Sequence, residues 1–378
     1  GLLLDPSSGR ILDHCNGRKD LEAKIIRTIG KPADRFGEDK LRLIRAVRFA
    51  GQLGFQIERD TWDELKSQAG DIERVSQERI RDELLKMLTA EHADRGLRLL
   101  LESGLLVVIL PEVASMVGVE QPPKFHPEGD VWIHTCLMFR LVSDPSETLA
   151  LGMLLHDIGK TKVPLEILNK PGRFEPHELQ EMRKHTVYGE EILRDMSDVT
   201  EEMIYIATQH HEMMDGSGYP LGLKGDEIHP FARMTAVADV YDALTAKRVY
   251  KPAMPMYQAL LRIHKVKGTE FDEHAVKMFI KALGVYPVGS LVELNTEERG
   301  MVFEPNPQDS RKPTVGVLTM PNQKPRSAPL IMSLSLRSES EGREIIKVLD
   351  PDQTEDFDVE ATMKEIEARG ERGERRMR

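Results

Sequence analysis

Cysteine is nearly missing from this sequence. Cys15 and Cys136 are the only two among 378 residues, and they do not form a CxxC pair. So few thiols exclude a disulfide scaffold and a zinc ribbon, and fit a reducing compartment, the cytoplasm. Long apolar runs are missing as well. Nothing approaches the roughly 18 residues that a membrane-spanning helix needs. The opening GLLLDP is too short, and lacks the basic start, for a secretory signal. Excess positive charge is the third absence. The formal net charge is −11 and the pI about 5.7, which excludes a molecule that binds nucleic acid with its whole surface but leaves room for a local basic patch.

What is present is ordinary core-forming material, 40% hydrophobic against 30% charged residues, in a chain long enough for two or three domains. No internal repeat is visible. The pattern predicts a mainly α protein: a helical segment, then a helical bundle, then a small β-rich C-terminal subdomain. Residues 1–12 read as strand, Ser-Ser-Gly turn and strand. EDKLRLIRAVRFAGQLGF (38–55) puts Leu41, Ile44, Val47 and Leu53 on one helical face and Arg42, Arg45 and Arg48 on a basic one. Ser76 stands as the N-cap of a helix over 77–89, and a further helix covers 93–102. VEQPPKFHPEGD (119–130) is Pro-rich and reads as a linker. Helices are expected again at 130–142, 147–157, 176–195, 200–211, 229–246, 255–266 and 272–283. From 289 to 349 short β-rich runs alternate with Asn, Pro and Gly, and the charged tail EARGERGERRMR reads as frayed. These textures divide the chain at 1–118, 119–285, 286–350 and 351–378. The first residues read as mid-domain sequence, so an upstream portion is expected.

Five of the twelve histidines fall where helices can converge: His134, His156, His185, His210 and His211. With Asp157 and Asp239 they form a nitrogen and oxygen ligand set without sulfur, suited to Fe, Mn, Co, Ni or Zn in an open site. A single helical histidine is usually structural or exposed, but adjacent His-Asp and His-His pairs in apolar context are far rarer accidents. Neighbours such as 156–157 and 210–211 diverge by about 100° on a helix, so they suit a helix end or two neighbouring ions. A carboxylate such as Asp157 can bridge two ions, and Lys160 stands one turn on, placed for a phosphate oxygen. His14, His92, His126, His177, His229, His264 and His274 are isolated and read as surface or core residues.

The segments HDIGK (156–160), ILNKPGRF (167–174), MRKHTVYGEEIL (182–193), QHHEMMDGSGYPLGLKGDEI (209–228), ADVYDALTAKRVYK (238–251), GTEFD (268–272) and YPVGSLVEL (286–294) resemble the HD-GYP family of metal-dependent phosphodiesterases, over about residues 154–318. The resemblance implies hydrolysis of cyclic di-GMP to the linear dinucleotide or GMP by a metal-activated hydroxide within a helical bundle. It implies His134, His156, Asp157, His185, His210, His211 and Asp239 as metal ligands, Lys160, Arg248 and Lys251 on the phosphate, and Asp242 assisting near the metals. Gly218, Tyr219 and Pro220 would form the substrate loop, with Gly216 and Gly218 permitting positive φ and Pro220 stiffening the exit. Members with three metals carry Glu at the position of Asp130. Asp is one methylene shorter, so Asp130 is kept as a candidate for a third ion, while two ions, Fe or Mn foremost, are expected.

GRKDLEAKIIRTIG (17–30), RFGEDKLRLIRAVRFAGQLGF (35–55), SQERIRDELLKML (76–88) and LRLLLESGLLVVILPE (97–112) are instead similar to bacterial tRNA nucleotidyltransferases, the CCA-adding and poly(A) polymerase family. That resemblance implies Asp39 and Arg42 as remnants of a base-reading pair, since a carboxylate and a guanidinium can mimic complementary base edges. No GS…DxD pattern of the family's catalytic head occurs, so nucleotide addition is not expected, while tRNA contact through the N-terminal helices is. HPEGDVWIHT (126–135) resembles the HD domain of some nucleotidyltransferases, and the 134–156 interval is short for HD-GYP proteins. The resemblance therefore switches at LLHDIGK, as a natural fusion, an assembled chimera or a design would show. Two other functions follow: an HD phosphohydrolase of tRNA-processing type acting on 2′,3′-cyclic phosphates or 2′-nucleotides, and a non-catalytic nucleotide- or RNA-binding module. No membrane association is expected.

Overall fold

The structure, a computed structural model, describes residues 2–4, 10–120, 129–142, 144–170, 172–197, 199–245, 254–306, 308–336, 340 and 342–349. Residues 121–128 of the expected linker, with His126, the expected phosphate ligands Arg248 and Lys251, and the charged tail lie outside them.

The hairpin pairs Leu2–Leu4 with Ile11–Asp13, antiparallel. The helix Leu41–Leu53 buries Leu41, Leu43, Ile44, Ala46, Val47 and Ala50. Leu53, expected on that face, is 51% exposed. It is the last helical residue, and Gly54 turns the chain away in the left-handed region, so the helical period no longer sets its direction. The basic face is largely spoken for. Arg45 and Arg48 both pair with the buried carboxylate of Glu83 on the next helix, Gln77–Leu88, at 3.0 and 2.7 Å. Ser76 holds the N-cap position there, with extended backbone, but its hydroxyl makes no capping bond. Helix Ala93–Glu102 crosses the helix Leu41–Leu53 where Gly51 meets Gly96. A Cβ on Gly51 would lie 2.9 Å from the Gly96 Cα, so Gly51 has no room for a side chain, while one on Gly96 would meet the Met87 side chain at 2.6 Å.

One apolar core runs from Phe36 through Leu97, Leu100, Trp132, Met153 and Ile206 to Phe279. It passes the 118/119 division without interruption, because helix Val131–Met138 packs on helix Ala93–Glu102 and Arg140 reaches back to Asp94 at 2.7 Å. The 118/119 division is a change of texture that the packing crosses, while the C-terminal sheet keeps apolar clusters of its own. The expected 176–195 helix is two, Pro176–Arg183 and His185–Asp195, broken at Lys184, so that His185 starts a helix. Helices Glu147–Leu155, Glu201–Gln209 and Pro230–Thr245 complete the wall around the site.

Five short antiparallel strands form the C-terminal sheet, in the spatial order Pro325–Ser333, Thr314–Thr319, Arg299–Glu304, Leu291–Leu294, Ile345–Val348. Four run as a meander and the fifth returns beside the first. Alternation puts Val292, Leu294, Val302, Val315 and Val317 in one apolar cluster. Beside them the buried Glu298 is clamped by Arg326 and Arg343, Arg343 foremost, which hold its carboxyl at about 2 although burial pushes it up. No helix among the described residues is long and apolar enough to cross a membrane.

Candidate metal centre

Helix Glu147–Leu155 ends at His156, and Asp157 follows as the chain tightens into a 3-10 turn, Ile158–Lys162. The tightening brings together two side chains that an unbroken helix would send about 100° apart, and His156 Nε2 lies 3.4 Å from Asp157 Oδ2. His134 comes from helix Val131–Met138, His185 from the first turn of its helix, His210 and His211 from the end of Glu201–Gln209, and Asp239 from the middle of Pro230–Thr245.

These residues form two groups. The ligand atoms of His134, His156 and Asp239 lie within 4.8 Å of one another, and so do those of His185, His210 and His211. Asp157 stands between the groups with one oxygen for each. Its Oδ2 is 3.4 Å from His156 Nε2 and 3.9 Å from His134 Nε2. Its Oδ1 is 3.5 Å from His185 Nε2 and 3.7 Å from His210 Nε2. Asp239 spans the same gap, with Oδ1 3.1 Å from His134 Nε2 and Oδ2 3.8 Å from His211 Nδ1.

Four of the imidazoles are aimed by a hydrogen bond at the far nitrogen. The Nδ1–H of His156 donates to the Met153 carbonyl (2.8 Å), that of His185 to Met182 (2.7 Å), and that of His210 to Ala207 (3.0 Å). His134 donates to the Asp242 carboxylate at 2.8 Å. Each arrangement fixes the tautomer and turns an Nε2 lone pair toward the centre. Asp242 thus acts one bond away, on the ring of His134.

Electrostatics keep the set in its metal-binding protonation states. Burial lowers the His156 imidazole to about 4 and His185 to about 3, against the pull of Asp157. Burial also lowers His210 and His211. For Asp157 burial works the other way, but Lys160 first, then the histidines around it, hold the carboxyl well below the usual range. Asp239 is held down likewise, against burial, by His134 and then His211. At neutral pH the imidazoles of His156, His185, His210 and His211 are neutral and the carboxylates of Asp157 and Asp239 ionised, the forms that coordinate cations. His156 Nε2 and Asp157 Oδ1 are buried and make no hydrogen bond among the described residues. Buried polar atoms left so are costly unless a ligand satisfies them. A divalent cation fits both groups, and nitrogen and oxygen donors without sulfur suit a transition metal.

The remaining expected residues divide. Lys160 is buried and donates to Asp157 Oδ2 at 2.7 Å, so its ammonium lies inside the cluster. Tyr219 stacks on His211, with ring centroids 4.8 Å apart, and meets His185 edge-on at 6.3 Å. Gly216 has φ +82°, as expected, but Gly218 is needed for another reason. A Cβ there would lie 2.4–2.5 Å from the main chain of His211, Glu212 and Met213, so the loop is pressed onto the His-His turn. Pro220 follows Tyr219 through a cis peptide. Asp130 caps its own helix, its Oδ1 accepting from Ile133 N (2.8 Å), and its Oδ2 accepts from Gly118 N (2.6 Å), so each oxygen also serves a main-chain donor. Asp39 and Arg42 are likewise engaged, Asp39 with Leu41 N (3.2 Å) and Arg79 (3.4 Å), Arg42 with the Arg35 carbonyl (2.9 Å) and Glu38 (2.8 Å).

Glu212 was given no role from the sequence. It is buried, and its carboxylate accepts from the main-chain N–H groups of Leu221 (2.6 Å), Gly222 (3.1 Å) and Leu223 (3.0 Å). The residue after the two histidines therefore ties the Tyr219 loop to them. The signal was an acidic residue directly following His-His in an otherwise apolar turn. Glu212→Ala should speed hydrogen exchange at the Leu221, Gly222 and Leu223 amides about tenfold or more, since three charge-assisted bonds that hold the loop are lost. Hydrogen exchange on folded protein checks this, and a change under twofold would deny Glu212 its part as the anchor.

Residues 131–275 match the HD domain family, and residues 54–117 match the family described as the probable RNA and SrmB-binding site of polymerase A. The two matches lie on successive stretches of the chain, each less than half of it. It is 42% identical over 167 residues to a cyclic di-GMP phosphodiesterase of Pseudomonas aeruginosa, covering 44% of this chain and 40% of that protein. It is 35% identical over 190 residues to a 3′3′-cGAMP-specific phosphodiesterase of Vibrio cholerae (50% of this chain, 41% of that protein). It is also 36% identical over 165 residues to the multifunctional CCA protein of Vibrio cholerae (42% and 40%). The chain thus spans about two fifths of the length of these curated relatives.

Proposed function

We propose that this chain is a metal-dependent phosphodiesterase that hydrolyses cyclic di-GMP to the linear dinucleotide or GMP. The observation that carries the reading is Asp157, an ionised carboxylate with one oxygen toward each of two three-residue ligand groups. His134, His156 and Asp239 would hold one ion, and His185, His210 and His211 the other, with Asp157 common to both. Divalent cations held there supply Lewis acidity to a phosphodiester and make water acidic enough to serve as nucleophile near neutral pH.

The chain's own residues do the rest. Asp242 and the carbonyls of Met153, Met182 and Ala207 hold the imidazoles in place, so no ligand has to reorganise on binding. Lys160 offsets the charge of Asp157 and offers a cation to a phosphate oxygen once that carboxylate is shared. Tyr219, backed by His211 and fixed through Glu212, walls the site. Arg248 and Lys251 are assigned to the phosphate by position in the sequence. The engaged Asp39 and Arg42 leave RNA contact, if any, to the surface of residues 54–117.

The test is hydrolysis of cyclic di-GMP by protein loaded with Mn(II) or Fe(II), with products separated by chromatography. Linear dinucleotide or GMP is expected. Turnover of 2′,3′-cyclic nucleotides with none of cyclic di-GMP would transfer the site to tRNA-end processing.

A further inference from the structure

Arg183 ends the helix before His185, and its guanidinium lies over the Tyr219 ring, 4.9 Å from the centroid. That ring in turn stacks on His211. The order outward from the candidate metal groups is therefore imidazole, phenol, guanidinium. The residue is exposed, and among the described residues no carboxylate lies within ion-pair distance of it. The two cations nearest to it in kind are committed: Lys160 to Asp157 inside the cluster, and the neighbouring Lys184 to Glu181 at 2.6 Å. A charged guanidinium stacked on an aromatic face has its orientation set by the ring while its N–H edge stays open for a ligand.

Resting on the phosphodiesterase reading above, we infer that Arg183 binds the second, non-reacting phosphodiester of a cyclic dinucleotide. A cation one aromatic ring outward of His211 is displaced from the atoms that would hold the reacting phosphate. It faces the next anionic group of a substrate that carries two. The planar fork matches the paired non-bridging oxygens of a phosphodiester. The site would then distinguish a two-phosphate ring from a simple diester by charge at a fixed distance, through a residue that takes no part in bond cleavage.

The experiment compares Arg183→Ala and Arg183→Lys with wild type on cyclic di-GMP and on bis(p-nitrophenyl) phosphate, which has one phosphodiester and no second anion. The KM of Arg183→Ala for cyclic di-GMP should rise about tenfold more than its KM for the small diester, with kcat taking the lesser share of the loss. Arg183→Lys should recover part of that KM, because charge is kept though the fork is lost. Equal losses on both substrates would overturn the assignment and leave Arg183 as a prop for Tyr219. So would a KM for cyclic di-GMP within twofold of wild type. Wild-type protein that cleaves the small diester but not cyclic di-GMP would instead remove the substrate reading itself, and the inference with it.

Discussion

Asp157→Asn is expected to lower phosphodiester hydrolysis at least about a thousandfold, and to take bound metal from about two ions per chain to one or fewer. The amide keeps the volume of the carboxylate, so the loss reports chemistry and not a hole. It removes the negative charge that the neutral imidazoles on both sides lack, and it offers one oxygen where the site uses two. It also leaves Lys160, buried against that carboxylate, without its counter-charge. A buried ammonium so stranded repels a cation from the same cavity. Metal analysis of purified protein and steady-state rates measure both effects. Retention of two ions with activity within tenfold of wild type would mean that Asp157 is not the common ligand.

Gly159→Ala carries the second large effect, this time on the fold. The residue sits in the 3-10 turn after Asp157, and the turn lies directly on helix His185–Asp195. An added Cβ would stand 1.9 Å from the His185 carbonyl oxygen and 2.4 Å from the Gly189 nitrogen. Both are main-chain atoms, so relief requires the turn and the helix to part, which separates Asp157 from His185. We expect destabilisation of about 3 kcal/mol or more and a Tm lower by about 6–12 °C, with metal binding weakened in parallel. Gly152→Ala is the comparison. There the added methyl meets Ile206 Cδ1 at 2.1 Å, the end of a side chain that can change rotamer. Its effect should be the smaller of the two. Scanning calorimetry on both variants decides, and a Gly159→Ala protein melting within 2 °C of wild type would show that the turn is looser than its contacts indicate.

Much of this site could be read before any coordinates. Adjacent His-Asp and His-His pairs in apolar helical runs are costly to bury without a ligand, and the structure does bring His134, His156, Asp157, His185, His210, His211 and Asp239 together. The helices and the β-rich end followed from periodicity, which depends on which face is buried and therefore survives in sequence. What escaped depends on distance between segments far apart in the chain. Gly159 and Gly218 matter for the backbone they approach, and composition shows only that they are glycines. Glu212 matters because a loop returns to it nine to eleven residues later. A short carboxylate before a helix, such as Asp130, serves equally as ligand and as cap, and its bonds to Gly118 and Ile133, which show it as a cap, were not legible in the sequence. The arginines of Leu41–Leu53 similarly read as a basic face, while Glu83, on another helix, pairs with two of them.

The central claim is a pair of ions sharing Asp157, and metal stoichiometry tests it most directly. Protein stripped of metal, reloaded with Mn(II) and freed of excess should hold about two ions per chain by mass spectrometric metal analysis, the second lost in Asp157→Asn. One ion or none in the wild type would contradict the account, and three would call for a further site, for which Asp130 is the candidate ligand.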